Sequence, residues 1–243
     1  MSVGRTYGAT MFAALTGLLL GFFLGMRHAL EPDHLAAVST LVTEQRSAGR
    51  GAILGAFWGI GHTLSLFGVG VVLALLETQM PPRLADGFEL AVALMLLLLG
   101  VRAIARALQQ GGLGHAHAHA HMHGDGSTGH EHGGPDDHVH VFRWTLARRP
   151  LLVGLVHGLA GSGALTALVL ASLPGVGARL LYIALFGIGS VCGMAVLSGL
   201  VGFPLARLSR REGAMRWLSA ATGVFSVAFG LFWGWPLVGR LFL

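Results

Sequence analysis

The stretch GFFLGMRHALEPDHLAAVSTL, residues 21–41, decides how the chain folds. It sets Arg27, His28, Glu31, Asp33 and His34 at the end of an apolar run, with Pro32 among them. A charged side chain at the centre of a membrane helix costs about 2.5 to 3.5 kcal/mol on insertion scales. A chain that keeps several such groups together needs something for them to bind.

The rest of the composition places that run in a bilayer. Of 243 residues 53% are hydrophobic, only 11% are charged and 38 are glycine, with a mean hydropathy of +0.69. A soluble domain exposes far more charge, and abundant glycine suits membrane helices that approach closely. All 16 basic residues are arginine. Without lysine there is no Walker A phosphate ligand and no Schiff base, so transport is expected to run on a gradient or on a partner's ATPase. The formal charge of +5 does not indicate nucleic acid, because the arginines flank apolar runs. Cys192 stands alone in an apolar stretch, which excludes an internal disulfide and suggests a packing residue. The apolar core from Met11 to Leu24 after Arg5 is expected to be a retained first helix, since it leads straight into the polar motif without a small-x-small cleavage site.

Runs nearly free of charge and about 20 residues long are expected to cross the membrane. They are Thr6–Met26, Gly51–Leu76, Leu84–Val101 (which tolerates Asp86 and Glu89 near one end), Leu151–Ala178, Leu180–Ala206 and Trp217–Gly239. The halves also resemble each other. GMRHALEPDHLAA (25–37) aligns with GLVHGLAGSGALT (154–166) at an offset of 129, WGIGH (58–62) with FGIGS (186–190) at 128, and LGV (99–101) with FGL (229–231) at 130. Three spans per unit turn the second unit upside down relative to the first. The expected fold is therefore an all-α membrane protein with six transmembrane helices as two inverted three-helix repeats, 1–109 and 148–243. A mobile loop, 110–147, separates them. Arginines crowd the side that holds this loop, so both termini are expected outside and the loop in the cytoplasm.

Histidine with carboxylate suits a divalent transition metal such as Ni²⁺, Co²⁺, Zn²⁺ or Cu²⁺. At 3.6 residues per turn, His28 and His34 point about 120° apart and His28 and Asp33 about 140° apart, so one regular helix cannot aim them at one ion. Pro32 removes a backbone donor and clashes with the preceding turn. The first helix is accordingly expected to break within HALEPDH, residues 28–34, with Asp33 and His34 opening a second segment that runs to about Thr43. His62, deep in the second uncharged run, is a further candidate ligand, with Thr63 and Ser65 expected to hold the ligands from behind. Taken alone, a buried histidine is more often a hydrogen-bonded structural residue. In the second half the positions matching Asp33, His34 and His62 are Ser162, Gly163 and Ser190, and only His157 persists. His157 is either a further ligand or a structural, proton-handling group. Arg27 and Glu31 are expected to pair one turn apart.

These residues resemble the nickel/cobalt transporter superfamily (NiCoT/NicO). Its signature, a histidine, four residues, then Asp-His, reads RHALEPDH here, with His28, Asp33 and His34 in the defining places. GIGHTLSL is similar to the family's glycine-histidine-serine/threonine motif and places His62. GLVHGLAGSGAL looks like the second-half motif of the UreH-like branch. Six spans are fewer than in the eight-span permeases, and Glu31-Pro32 replaces the commoner Asp-Ala. The resemblance implies Ni²⁺ or Co²⁺ permeation, with His28, Asp33, His34 and His62 as the selective site.

The segment HAHAHAHMHGDGSTGHEHGGPDDHVH, 115–140, holds nine of the 13 histidines. It cannot form a packed core and is expected either to buffer arriving metal or to be a dispensable linker. The function expected is a multi-pass, non-enzymatic transporter of divalent metal in the cell membrane, working as uptake and either secondary or driven by the membrane potential. No bound cofactor is expected, since Ni²⁺ or Co²⁺ is cargo, and a cytoplasmic metal acceptor is a candidate partner. The alternatives are efflux on the same fold, a membrane-embedded metallohydrolase with Glu31 as base, and an accessory protein handing nickel to an enzyme such as urease.

Overall fold

In the computed structural model of the chain, which describes residues 16, 19–43, 47–109, 144–161, 173, 175–208 and 212–242, every regular element among those residues is a helix. In chain order these are α1 (19–28), α2 (Pro32–Val42), α3 (Ala48–Leu75), α4 (Pro82–Gln109), α5 (Trp144–Ala160), α6 (Val176–Leu208) and α7 (Glu212–Phe242). Four are long and apolar enough to cross a membrane: α3, α4, α6 between Val176 and Leu205, and α7 from Gly213. At 1.5 Å per residue, the 28 residues of α3 reach about 42 Å, more than the ~30 Å hydrocarbon core requires.

The burial pattern differs from that of a soluble protein, with large apolar side chains outside and some polar groups inside. Leu98, Phe232 and Trp235 are 73%, 76% and 81% exposed, while Ser190, Ser198 and Ser226 are completely buried. Lipid tails solvate the outer leucines and aromatic rings, so the interior is free to hold polar groups. Those serines hydrogen-bond or press against neighbouring backbone: Ser226 Oγ donates to the Leu96 carbonyl at 2.8 Å and Ser190 Oγ to the Gly25 carbonyl at 3.3 Å.

Packing pairs α3 with α5 and α6, pairs α4 with α7, and tucks the short α2 among α4, α6 and α7. The helices meet backbone to backbone at glycine. A Cβ built on Gly154 of α5 would collide with the Trp58 carbonyl and lie 2.8 Å from the His62 nitrogen of α3. One built on Gly25 of α1 would collide with the Phe186 carbonyl and lie 2.9 Å from the Ser190 nitrogen of α6. Gly25 and Gly154 are the aligned pair of the two halves, as are Trp58 and Phe186, and His62 and Ser190. Each glycine thus docks on the other half's counterpart. The same exchange recurs where Gly61 meets Leu151 and Leu155, and Gly189 meets Phe22 and Met26.

Of the six expected spans, four coincide with long helices. The described part of α1 carries the end of the first and α5 the beginning of the fourth. The remainder of both, the histidine-rich insert at 115–140, and Ser162 and Gly163 lie outside the described residues. The span boundary expected at Arg179 is corrected. Arg179 lies in the first turn of α6, which starts at Val176 after Gly175 (φ +81°), and its Nε–H donates to the Leu173 carbonyl at 3.0 Å. An arginine at a helix end satisfies itself on nearby backbone, so it need not separate two helices. Cys192, expected in the packing, is exposed. The buried stripe of α6 runs through Ile183, Phe186, Ser190, Met194 and Ser198, and Cys192 falls off it.

Candidate metal centre

The centre begins where α1 ends. The helix stops at His28, and the Leu30 and Glu31 N–H groups bond back to the Arg27 and His28 carbonyls at 2.9 and 3.0 Å, in tight three-residue turns. Glu31 is extended (ψ 148°), as a residue preceding proline must be, and Pro32 then starts α2 in the first helical position, where its missing N–H costs nothing. α2 ends at Val42 with Thr43 as its cap. The break swings Asp33 and His34 back toward His28, and the rings of His28 and His34 come to 4.5 Å between centroids.

Two further helices complete the cluster. On α3, His62 places Nε2 3.2 Å from Nε2 of His28. On α5, Gly154 and Gly158 let the helix press onto the Trp58–His62 backbone, which brings His157 to 4.1 Å from the His34 ring, between centroids. His157 Nε2–H donates to Asp33 Oδ2 at 2.9 Å, while His34 donates to Asp33 Oδ1 from both its backbone N–H, at 2.8 Å, and its Nδ1–H, at 2.9 Å. His34, His62 and His157 are each only 1% exposed. All five residues singled out by the sequence, His28, Asp33, His34, His62 and His157, therefore meet in one place inside the helix bundle.

The geometry suits a cation. Two nitrogens each about 2.0–2.1 Å from one ion, at tetrahedral or octahedral angles, stand about 2.9–3.4 Å apart. His28 and His62 show 3.2 Å. Ligand atoms of His28, His34 and His62 lie within 4.8 Å of one another, and so do those of Asp33, His34 and His157. Among the described residues, buried His34 Nε2, His62 Nδ1 and His157 Nδ1 have no hydrogen-bond partner. A buried imidazole nitrogen without a partner costs about 1–3 kcal/mol, which binding a cation through some of these rings offsets.

Two expectations about neighbouring residues are corrected. Glu31 does not pair with Arg27. Because the helix stops at His28, Glu31 bends back onto His28 and its Oε1 accepts from His28 Nδ1–H at 2.9 Å, leaving Arg27 exposed. That contact orients His28 with Nε2 toward the cluster, as a carboxylate behind a ligand imidazole does. Thr63 and Ser65 do not stand behind the ligands. Thr63 Oγ1 donates to the Gly187 carbonyl at 3.0 Å and Ser65 Oγ to the Leu155 carbonyl at 2.6 Å, tying α3 to α6 and α5 where glycine brings the helices close. Trp58 was not anticipated. It is completely buried, and its ring lies 5.4 Å from that of His34 and 5.6 Å from that of His157. The available signal was spacing, since Trp58 stands one helical turn before His62 and so shares its face.

The family model for NicO, high-affinity nickel-transport protein, matches residues 14–229. The urease accessory protein UreH of Bacillus sp. (strain TB-90) is 32% identical over 223 residues, covering 89% of this chain and 90% of that protein. The chloroplast protein FOR GROWTH AND FERTILITY 2 of Arabidopsis thaliana is 27% identical over 77% of this chain, which spans 47% of its length. The high-affinity nickel transport protein of Cupriavidus necator is 35% identical over 72 residues, 29% of this chain and 20% of that one. No solved structure matches. With the family model covering most of the chain, this multi-pass membrane protein belongs to the NicO high-affinity nickel-transport family.

Proposed function

We propose that the chain carries Ni²⁺ or Co²⁺ into the cell, with His28, Asp33, His34, His62 and His157 as the ion's ligands on the way. One observation carries this reading: four imidazoles and a carboxylate from three separate stretches converge in the bundle interior, at a helix break. Nitrogen donors with one oxygen favour a late first-row divalent ion over Mg²⁺ or Ca²⁺. As a member of a family of transporters, the chain is not an enzyme. Glu31, the base of the hydrolase alternative, is engaged by His28.

The exchanged glycine contacts support two inverted three-helix repeats that rock against each other around the centre. The arginine distribution supports termini outside and the histidine-rich insert in the cytoplasm, where it would buffer arriving metal. The inward potential then helps, at about 2.3 kcal/mol per charge per 100 mV.

Accumulation of radioactive nickel and cobalt in cells expressing the wild type, His28→Ala, Asp33→Asn and His62→Ala tests the site. Each variant is expected to lose at least tenfold in uptake, and normal accumulation in all three would refute the reading. Cellular nickel that rises when the protein is deleted would instead indicate efflux. The name of the Bacillus relative favours a second reading, in which the metal is destined for a cytoplasmic urease. Uptake by purified protein in liposomes separates transport from a purely accessory role.

A further inference from the structure

We infer that the cluster is two overlapping cation positions, used in turn, and not a single five-ligand site. This rests on the metal-transport reading above and divides its site in two. One position is His28, His34 and His62, and the other is Asp33, His34 and His157; in each the ligand atoms lie within 4.8 Å of one another. Only His34 belongs to both.

The argument turns on the two nitrogens of His34. Nδ1 lies 2.9 Å from Asp33 Oδ1, on the side where Asp33 Oδ2 meets His157 Nε2 at 2.9 Å. That leaves Nε2, which is buried and has no partner among the described residues, as the nitrogen available to His28 and His62. Lone pairs on the two nitrogens of one imidazole diverge, so no single ion takes both. A neutral ring also has one lone pair and one N–H. An ion on Nε2 leaves the hydrogen on Nδ1, donated to Asp33. An ion on the Asp33 side needs the His157 Nε2 lone pair, with that ring's hydrogen moved to its Nδ1, and the His34 Nδ1 lone pair, with the His34 hydrogen on Nε2. Each ring keeps one hydrogen throughout, and this hydrogen changes nitrogen when the ion changes position. The positions are therefore exclusive, with one ion in the cluster at a time.

Their surroundings differ in a way that suits a relay. The first is all nitrogen, and its member His28, with an 11% exposed side chain, is backed by Glu31, itself 54% exposed. The second adds the charge of Asp33, 21% exposed, to the buried His157. Each position thus has its own partly open member, and only His34, at 1% exposed, is common. Trp58 borders His34 and His157, and Phe186, its counterpart in the other half, borders His28 at 5.3 Å. An aromatic wall on each side confines the ion to the shared imidazole.

The test uses the purified full chain in detergent with Co²⁺, whose visible absorption reports its ligands, together with equilibrium dialysis and liposome uptake. Wild type is expected to bind one Co²⁺ more than His34→Gln, in which the histidine-rich insert still takes up its own metal. His62→Gln and His157→Gln are each expected to keep binding within about tenfold while showing two different spectra, and each to lose at least a hundredfold in uptake. His34→Gln is expected to lose both binding modes. Asp33→Asn should give the same spectrum as His157→Gln. The inference is overturned if the His62 and His157 variants weaken Co²⁺ equally with the same spectral change, or if wild type binds two ions more than His34→Gln; metal transport would still stand. If folded wild type, monodisperse on gel filtration, binds no more Co²⁺ or Ni²⁺ than His34→Gln, the metal reading fails as well.

Discussion

At the crossing of α5 with α3, Gly154 rests on the Trp58–His62 backbone; at the crossing of α1 with α6, Gly25 rests on Phe186–Ser190. The two crossings are the same piece of packing made twice, with the halves exchanging roles. The side chains they present are different. The first half offers His62 where the second offers Ser190, and His28 is backed by Glu31 of its own half while His157 leans on Asp33 of the other. The alignment places Ala160 where Glu31 would be. Close packing asks only for a missing side chain, and this requirement is easily met twice. Ligation of one ion asks for one set of donors, and a second full set would double the cost of buried polar groups.

The largest effect expected is on the shared packing. Gly154→Val and Gly25→Val should both abolish folded protein in membranes, judged by gel filtration of the solubilised chain. Overpacking costs about 1–3 kcal/mol where neighbours yield, and here the neighbour is a backbone carbonyl that cannot. If one variant is harmless, the two crossings are not equivalent. Next comes the chemistry the halves do not share. His62→Ser copies the second half's residue into the first and should lower nickel uptake at least a hundredfold while leaving the amount and melting temperature of the protein near wild type. Unfolding of this variant would mean that His62 serves packing, and the contrast would collapse. A smaller change follows from the different support of the two equivalent histidines. Glu31→Gln should lower nickel uptake about 10- to 100-fold, with binding by dialysis within about tenfold of wild type, because it loosens the orientation of His28. Smallest is Ser190→Ala, which removes a long hydrogen bond to Gly25 and should cost about 0.5 kcal/mol in a thermal shift, with uptake unchanged.

Much of the site was legible because its signals are chemical. Histidine and aspartate amid apolar residues stand out, and the angular argument at Pro32 required the break that ends α1 at His28 and starts α2 at Pro32. The residues around the site were harder to read, because their roles depend on which element faces them. Glu31 was assigned to Arg27 on the assumption of a continuing helix. Thr63 and Ser65 were assigned to the ligands, when the nearest acceptors were carbonyls of α6 and α5. Trp58 carried no signal beyond its spacing from His62.

By itself, the order of amino acids determined that this chain lies in a bilayer, that its first apolar run breaks at a proline, and which five side chains have metal-binding chemistry. Those properties follow from transfer free energies, from the covalent constraint of Pro32 and from the donor atoms of imidazole and carboxylate, all local to the residue. Only the tertiary structure decided that His157 reaches Asp33 across 124 positions, that His34 stands between two sets of donors, and that Glu31 holds His28. Such contacts depend on how closely helices distant in sequence can approach, and that distance was set by glycines whose partners lie in the opposite half.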